Sequence, residues 1–214
     1  MIEDIQKGIA LDIDDTLSIT HVSWYQGLMD TFGNPENLTI QEIAKKYSHS
    51  DAVPYWESEE VIQWKIAKYY DVAGYKNLPI IENAHHLVER ISQFLPISCY
   101  LTARPESTRE VTQEWLQKHG FPEIPLIMKP TELGRSNHNP WKASILAEYE
   151  DRLLGIIDDN PGLIASLPPT YDGTVFLYSH LDYPHDTTIN VIPCKDWDSV
   201  YLEIFRMARL FGKI

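Results

Sequence analysis

Carboxylates gather at two places in the chain where an apolar run ends. Asp12, Asp14 and Asp15 end the first of these runs, and Asp158 and Asp159 end a later one. Carboxylates this close together repel one another unless a cation lies among them. Oxygen ligands of this type suit a hard divalent cation such as Mg²⁺. The sequence therefore predicts a divalent metal site, although either cluster alone could be an acidic turn in solvent.

Two further segments carry groups that could bind an anion such as phosphate. Thr102 and Arg104 end another apolar run just before a helical pattern, whose first backbone amides would supply more donors. Lys142 lies in the first turn of a second predicted helix, where the helix dipole disfavours a cation. Each residue has a plainer alternative. Thr102 could cap its helix, Lys142 could be a solvated side chain, and Arg104 could form a structural ion pair.

The segments that must position these residues alternate in a way that predicts an α/β fold. Five short runs are apolar on both parities and match strands of a parallel sheet covered on both faces: residues 8–13, 97–101, 126–128, 153–157 and 174–178. Helical patterns lie at residues 80–94, 105–119 and 196–211, and another begins with Asn139 as N-cap and Pro140 in the first position. The alternation predicts a Rossmann-like, doubly wound parallel sheet with the polar residues at one edge.

Residues 18–78 interrupt this alternation and contain no convincing strand. They carry three helical patterns instead, at residues 24–32, from the capping-box sequence 39–42, and at residues 57–70. A connection between a strand and the next helix usually takes only a few residues. The sequence therefore predicts a core of residues 1–17 and 79–214, with a small helical domain inserted after the first strand.

Composition limits the partners and the compartment. The chain has 18 Lys and Arg against 31 Asp and Glu, a formal net charge of −13, so we expect neither a long nucleic acid nor an acidic membrane as partner. Two cysteines cannot form a disulfide framework, and Cys99 lies in an apolar run as a core residue would. The first residues are acidic, unlike a signal peptide, and no apolar run approaches the roughly 18 residues of a membrane span. These patterns predict a cytoplasmic protein.

The order of the polar residues resembles the haloacid dehalogenase-like (HAD) hydrolase superfamily. The first motif of that family, a hydrophobic strand followed by Asp-x-Asp-x-Thr, matches residues 12–16. The Thr or Ser of its second motif matches Thr102, the Lys of its third matches Lys142, and its final acidic pair matches residues 158–159. In this family an insertion at residues 18–78 is a helical cap of the C1 type. The sequence Leu-Thr-Ala-Arg-Pro-Glu around Thr102 is also similar to the deoxyribonucleotidase-like and polynucleotide-phosphatase-like branches.

The resemblance implies covalent phosphoryl transfer. Asp12 would attack phosphorus and form an aspartyl-phosphate, which water then hydrolyses. Asp14 would protonate the leaving oxygen and later activate the water, so its pKa is expected to lie above that of Asp12. Dehalogenases of the superfamily lack this second Asp, so Asp14 favours hydrolysis of a phosphomonoester over cleavage of a carbon–halogen bond.

The same resemblance assigns ligands to the metal and the phosphate. Mg²⁺ would be held by the Asp12 carboxylate, the Asp14 main-chain carbonyl and Asp158. Asp159 would orient Lys142 or a water on the metal, and the division of roles between Asp158 and Asp159 stays open. Thr102 and Lys142 would hold the phosphoryl group. The expected substrate contacts are Thr16, Thr102, Ala103 and Arg104.

A small phosphorylated metabolite, with a nucleotide as the leading class, is the expected substrate. Trp64 and Tyr55 of the insertion could stack on a base, or could belong to the insertion's own core. The alternatives are a phosphatase of sugar phosphates or other small phosphoesters, and a non-catalytic phosphate-binding relative. A receiver-type signalling domain is excluded because it needs an Asp after the third strand, where this chain has Lys129 and Pro130.

A loose group of His and Asp residues follows the fifth predicted strand. It comprises His180, Asp182, His185 and Asp186. Their spacing matches no standard zinc site, so the sequence favours a polar loop over a second metal site.

Overall fold

The core of the molecule is a parallel β-sheet. The computed structural model describes residues 5–47, 49–183 and 186–210. Within them, six parallel strands pair in the order β3-β2-β1-β4-β5-β6. The strands are β1 (Gly8–Leu11), β2 (Ile97–Pro105), β3 (Leu126–Lys129), β4 (Leu153–Asp158), β5 (Thr174–Tyr178) and β6 (Asn190–Cys194). The strand order reverses at β1, which confirms the doubly wound α/β fold and opens a crevice beside the end of β1.

Helices cover both faces of the sheet and fill the connection after β1. They are α1 (Thr20–Phe32), α2 (Ile40–Tyr47), α3 (Glu59–Tyr69), α4 (Val72–Lys76), α5 (Ala84–Ser92), α6 (Arg109–Lys118), α7 (His138–Glu148), α8 (Pro161–Ser166) and α9 (Trp197–Leu210). Side chains of α5, α6 and α9 pack with Ile9 and Leu11 on one face. Side chains of α7 and α8 pack with Ala10 and Cys99 on the other. The two faces thus follow the alternation of side chains along β1.

The sheet differs from the prediction at two strands. β6 is not predicted by the sequence, because Pro193 interrupts an already short apolar run. It lies at the edge and pairs only with β5, where the missing N–H of a proline is tolerated. β2 is longer than predicted and reaches Pro105, and α6 begins only at Arg109. Thr102 therefore lies within a strand. The prediction that the first amides of a helix follow it directly is wrong, because the backbone next to Thr102 is still part of β2.

Helices α7 and α5 also begin at other residues than predicted. α7 begins at His138, so the expected N-cap Asn139 and first-position Pro140 both lie inside its first turn. Asn137 precedes the helix with a left-handed backbone (φ +59°), a conformation that Asn adopts more readily than most residues. Lys142 consequently lies in the second turn, where the helix dipole opposes a cation less strongly. α5 begins at Ala84 rather than at residue 80, after a left-handed Asn83.

The connection after β1 contains α1 to α4. A separate hydrophobic cluster lies among α1, α2 and α3, with Leu28, Ile43 and Trp56 at its buried centre. The capping box that begins α2 is present, since the Glu42 N–H donates to Thr39 Oγ1 at 3.3 Å and the Thr39 N–H donates to the Glu42 carboxylate at 2.7 Å. α4 is not predicted by the sequence.

Helix α3 presents an unexpected side to this cluster. Ile62 and Ile66, which helical spacing predicts to pack inward, are 42% and 38% exposed. Lys65 is buried instead, because its Nζ donates to the Ser50 and Trp56 carbonyls and to Asp51.

No helix in the described part of the chain has the length and apolar character needed to cross a membrane.

Candidate active site

The candidate site lies at the carboxyl ends of three adjacent strands. Asp12 directly follows β1, Asp158 ends β4 on one side, and Thr102 lies in β2 on the other. Leu11 pairs with Ile157, and the Asp12 N–H continues the ladder by donating to the Ile157 carbonyl at 3.0 Å. Parallel register therefore brings Asp12 and Asp158 side by side, although 146 positions separate them in the sequence (158 − 12).

Lys142 joins these two carboxylates. Its Nζ lies 2.5 Å from Asp12 Oδ1 and 2.8 Å from Asp158 Oδ2, and all three side chains are almost fully buried. Burial raises the pKa of Asp12 to about 7 even though Lys142 opposes the rise. Burial would lower the pKa of Lys142, but the two carboxylates raise it above its usual range. Lys142 is therefore a buried cation in contact with Asp12. It is not the solvated side chain that the sequence leaves as an alternative.

The acidic cluster provides a set of oxygen ligands for a metal ion. Among the described residues, Asp12, Asp158 and Asp159 each offer one carboxylate oxygen to a group in which these three oxygens lie within 4.8 Å of one another. Burial, followed by the charges of Asp15 and Asp158, raises the pKa of Asp159 well above its usual range. A cation among these carboxylates would offset their mutual repulsion and the cost of burying their charge. Three hard oxygen donors fit Mg²⁺. The sequence resemblance predicts that Asp159 orients Lys142 or a water on the metal. In the structure Asp159 is one of the three grouped carboxylates, and the hydrogen bonds of Lys142 go to Asp12 and Asp158.

Asp14 lies two residues beyond Asp12 and is bound by Arg104. Arg104 Nη2 donates to Asp14 Oδ1 at 2.8 Å, and Nε donates to Oδ2 at 3.0 Å. Burial would raise the pKa of Asp14, but the charge and hydrogen bonds of Arg104, with a 2.6 Å bond from Thr20, hold it below its usual range. The expected order is therefore wrong for this structure, in which the higher pKa belongs to Asp12. The reason is that the buried Arg104 guanidinium pairs with Asp14, whereas burial of the Asp12 carboxyl outweighs the opposing effect of Lys142.

Arg104 is a structural centre of this region. Its side chain is fully buried, with the guanidinium 4.5 Å from the Tyr75 ring and 5.7 Å from the Trp115 ring. Its Nη2 also donates to Ser18 Oγ at 3.2 Å. Of the two sequence-based alternatives, substrate contact and ion pair, the structure contains the ion pair.

The arginine also lies where the connection after β1 leaves the sheet and returns to it. Ser18 precedes α1, and Tyr75 is in α4, at the other end of this connection. The two ends lie side by side, since the Ile19 N–H donates to the Pro79 carbonyl and the Ile81 N–H donates to the Leu17 carbonyl, both at 2.8 Å.

The remaining predicted substrate contacts differ in their hydrogen bonding. Thr102 is fully buried, and its Oγ1 accepts a hydrogen bond from the Arg104 N–H at 3.2 Å, so its own proton can be donated elsewhere. Thr16 is also fully buried, and its Oγ1 has no partner among the described residues. The Ala103 carbonyl accepts a hydrogen bond from Tyr69 Oη at 2.9 Å. The Thr102 hydroxyl thus keeps a proton to donate to an anion, and so does the unpaired Thr16 hydroxyl.

Aromatic residues of the insertion divide into two groups. Trp64 lies edge-to-face against Trp24 and Phe32, and Tyr55 lies against Tyr47 and Trp56, so both belong to the insertion's own cluster. Tyr69 and Tyr70 instead reach the core, through the Ala103 and Thr131 carbonyls. The sequence indicates an aromatic-rich segment, but only the packing of α3 distinguishes the two groups.

The His and Asp group after β5 does not form a metal site in the described residues. His180 Nε2 is 3.0 Å from the carbonyl oxygen of Asp159, and the Asp182 carboxylate accepts from the Tyr183 N–H. Asp186 is exposed. His185 lies outside the described residues.

Comparison with known proteins gives structural neighbours only. No protein-family model and no curated protein matches the chain. Among solved structures, L-2-haloacid dehalogenase from Xanthobacter autotrophicus with chloropropionic acid covalently bound has a TM-score of 0.57, 10% identity, and coverage of 95% of this chain and 100% of that chain. A further dehalogenase has a TM-score of 0.57, 10% identity, and coverage of 94% and 97%.

A third neighbour is a haloacid dehalogenase-like family hydrolase from Xanthomonas campestris. Its TM-score is 0.52 at 11% identity, and the match covers 98% of this chain and 99% of that chain. The fold of this chain is therefore that of haloacid dehalogenase-like hydrolases.

Proposed function

We propose that the protein is a metal-dependent phosphomonoester hydrolase of the haloacid dehalogenase-like superfamily, with Asp12 as nucleophile. The observation that carries this proposal is the contact of the buried Lys142 with Asp12 at 2.5 Å, next to a group of three carboxylates. A lysine in this position neutralises charge on the nucleophile and on an entering phosphoryl group. The hydrolase fold of the neighbours supports the assignment.

Asp14 favours a phosphate ester over a haloacid as substrate. Attack of an Asp12 oxygen on phosphorus breaks the bond to the alcohol, whose oxygen takes a proton from protonated Asp14. Halide leaves without one, so a dehalogenase has no use for a second carboxyl group here. In the second step water attacks phosphorus, gives its proton to Asp14, and breaks the bond to Asp12. Donation in the first step leaves Asp14 as a carboxylate, the form that Arg104 favours by lowering the pKa of Asp14, and this form accepts the proton of the water.

Other residues of the chain have supporting roles. Thr102 donates its hydroxyl proton to a phosphoryl oxygen, since Oγ1 already accepts from the Arg104 N–H. Lys142 moves no proton and balances charge. Mg²⁺, held by the Asp12, Asp158 and Asp159 carboxylates with the Asp14 carbonyl, would supply positive charge at the phosphoryl oxygens.

The helical insertion is proposed to be the cap, and a nucleotide the substrate. α3 supports the first part, because Tyr69 bonds to Ala103 beside the candidate phosphate site. The second part rests on the sequence around Thr102, because Trp64 and Tyr55 are engaged in the insertion's own cluster.

A substrate screen tests the proposal. The protein would be incubated with Mg²⁺ and with nucleoside monophosphates, sugar phosphates, p-nitrophenyl phosphate and 2-chloropropionate, with Asp12→Asn as control. We expect phosphate release from esters, highest kcat/KM for nucleotides, no halide release, and loss of activity with EDTA. Halide release without phosphate release would overturn the phosphatase assignment. A wide advantage of sugar phosphates over every nucleotide would overturn only the substrate class.

A further inference from the structure

His138, near the candidate site, has one ring nitrogen without a hydrogen-bond partner among the described residues. It is the first residue of α7, and its Nδ1 is buried with no hydrogen-bond partner among the described residues. Lys142 follows four positions later, so the two side chains lie on one face of the helix, one turn apart. Because Lys142 reaches Asp12 and Asp158, this is the face of α7 that looks toward the site.

Tyr69 packs against the ring of His138. The two ring centroids are 5.5 Å apart, and Tyr69 Oη donates to the Ala103 carbonyl at 2.9 Å. Ala103 follows Thr102, which the proposed function assigns to the phosphoryl group. His138 is therefore connected to both parts of the candidate site, to Lys142 through the shared face of α7 and to the Thr102 segment through Tyr69 of α3.

The charges that face His138 make it a neutral group in a positive field. Burial, then Lys129, Arg135 and Lys142, lower the pKa of His138 to about 4, and Asp14 opposes them weakly. At neutral pH the ring therefore carries one N–H and one bare nitrogen. A neutral imidazole beside cations is suited to donate that N–H to an oxygen atom that carries negative charge.

Buried polar atoms in folded proteins nearly always have a partner, and an exception needs an explanation such as a bound ligand. We propose that His138 is a substrate-contacting residue that donates a hydrogen bond from Nδ1 to an oxygen of the phosphomonoester. That oxygen belongs either to the phosphoryl group or to the alcohol joined to it. The inference rests on the proposed function and adds a contact that none of the four sequence motifs contains.

Two substitutions separate this role from packing. His138→Phe keeps a ring against Tyr69 but has no N–H. His138→Asn loses the ring and places an amide N–H close to the position of Nδ1. With p-nitrophenyl phosphate and a nucleoside monophosphate, we expect His138→Phe to lower kcat/KM by about tenfold to hundredfold, the effect of one buried hydrogen bond to a charged acceptor. We expect His138→Asn to recover part of that loss, which a packing role would not allow.

Inhibition by inorganic phosphate identifies the oxygen. A higher inhibition constant in His138→Phe assigns the contact to the phosphoryl group, and an unchanged constant with lower kcat/KM assigns it to the alcohol oxygen. His86→Phe, at an exposed position in α5, is the matched control with unchanged kinetics. The inference is overturned if His138→Phe keeps both constants within about twofold of wild type.

The outcome also separates this inference from the proposed function. If the wild-type protein hydrolyses no phosphomonoester, the proposed function fails. The His138 contact then fails as well, unless calorimetry with Mg²⁺ and inorganic phosphate shows weaker binding to His138→Phe than to wild type.

Discussion

Arg104 binds Asp14 with two of its guanidinium nitrogens, at 2.8 and 3.0 Å, from a side chain that is itself fully buried. The pair joins β2 to the loop after β1, and Ser18 and Thr20, at the start of the insertion, bond to the same carboxylate. The position of Asp14 therefore depends on both the sheet and the insertion.

Loss of this pair is expected to destabilise the protein. Arg104→Met leaves Asp14 without its main partner and removes the contact with Tyr75, so we expect the free energy of unfolding to fall by about 3–5 kcal/mol. Adding Asp14→Asn removes the stranded charge, so the double variant should lose at least about 1 kcal/mol less than the sum of the two single variants. Urea unfolding of the four proteins measures this coupling.

A surface pair serves as the control for that cycle. Arg206 and Glu203 form an exposed ion pair in α9, for which the same cycle should give about 0–1 kcal/mol. Additive effects of Arg104→Met and Asp14→Asn would show that the two side chains do not stabilise each other.

Lys142 is expected to matter most for stability when metal is absent. Lys142→Met leaves Asp12 and Asp158 buried without their cation, so in EDTA we expect the free energy of unfolding to fall by about 3 kcal/mol or more. Mg²⁺ should restore part of this loss, because a bound cation replaces the missing charge. Denaturant unfolding with EDTA and with Mg²⁺ measures both effects.

Lys46→Met is the matched control, because the ion pair of Lys46 with Glu36 and its contact with the Tyr47 ring both lie at the surface. It should change stability by less than about 1 kcal/mol in either buffer. The account of the site is contradicted if Lys142→Met is as stable as Lys46→Met in EDTA, or if Mg²⁺ stabilises neither protein.

His138 is expected to lower the free energy of unfolding in acid. The unfolded chain binds a proton on His138 near the ordinary pKa of about 6.5, but the folded protein binds it only near a pKa of about 4. The contribution of this residue is therefore complete above about pH 6.5 and is lost as pH falls toward about 4.

The loss should be on the order of a few kcal/mol and should be missing in His138→Phe, which has no group to titrate. Unfolding at pH 7.5 and pH 5 in both proteins measures the difference, and ring resonances in NMR report the pKa directly. An equal pH dependence in the two proteins would show that His138 titrates normally.

How far the sequence predicts this molecule depends on how local each signal is. Strands β1 to β5 are predicted because each is apolar on both parities, which only a buried parallel strand requires. The edge strand β6 lacks that signal, and Asn137 starts α7 through a backbone conformation that no residue pattern specifies.

The side-chain roles divide in the same way. Asp12, Lys142 and Asp158 are predicted to share one edge of the sheet because topology alone brings them there. The choice of Asp14 as the partner of Arg104, and with it the lower pKa of Asp14, depends on the burial of Arg104 between Tyr75 and Trp115, which no local pattern specifies.

Trapping the covalent intermediate tests whether Asp12 is the nucleophile. Wild-type protein turning over p-nitrophenyl phosphate with Mg²⁺ would be quenched in acid, digested and analysed by mass spectrometry, with Asp12→Asn treated in parallel. The account predicts a phosphoryl group on Asp12 in the wild type, and neither modification nor turnover in a folded Asp12→Asn. Turnover that persists in Asp12→Asn, or a phosphoryl group trapped on a different residue, would contradict it.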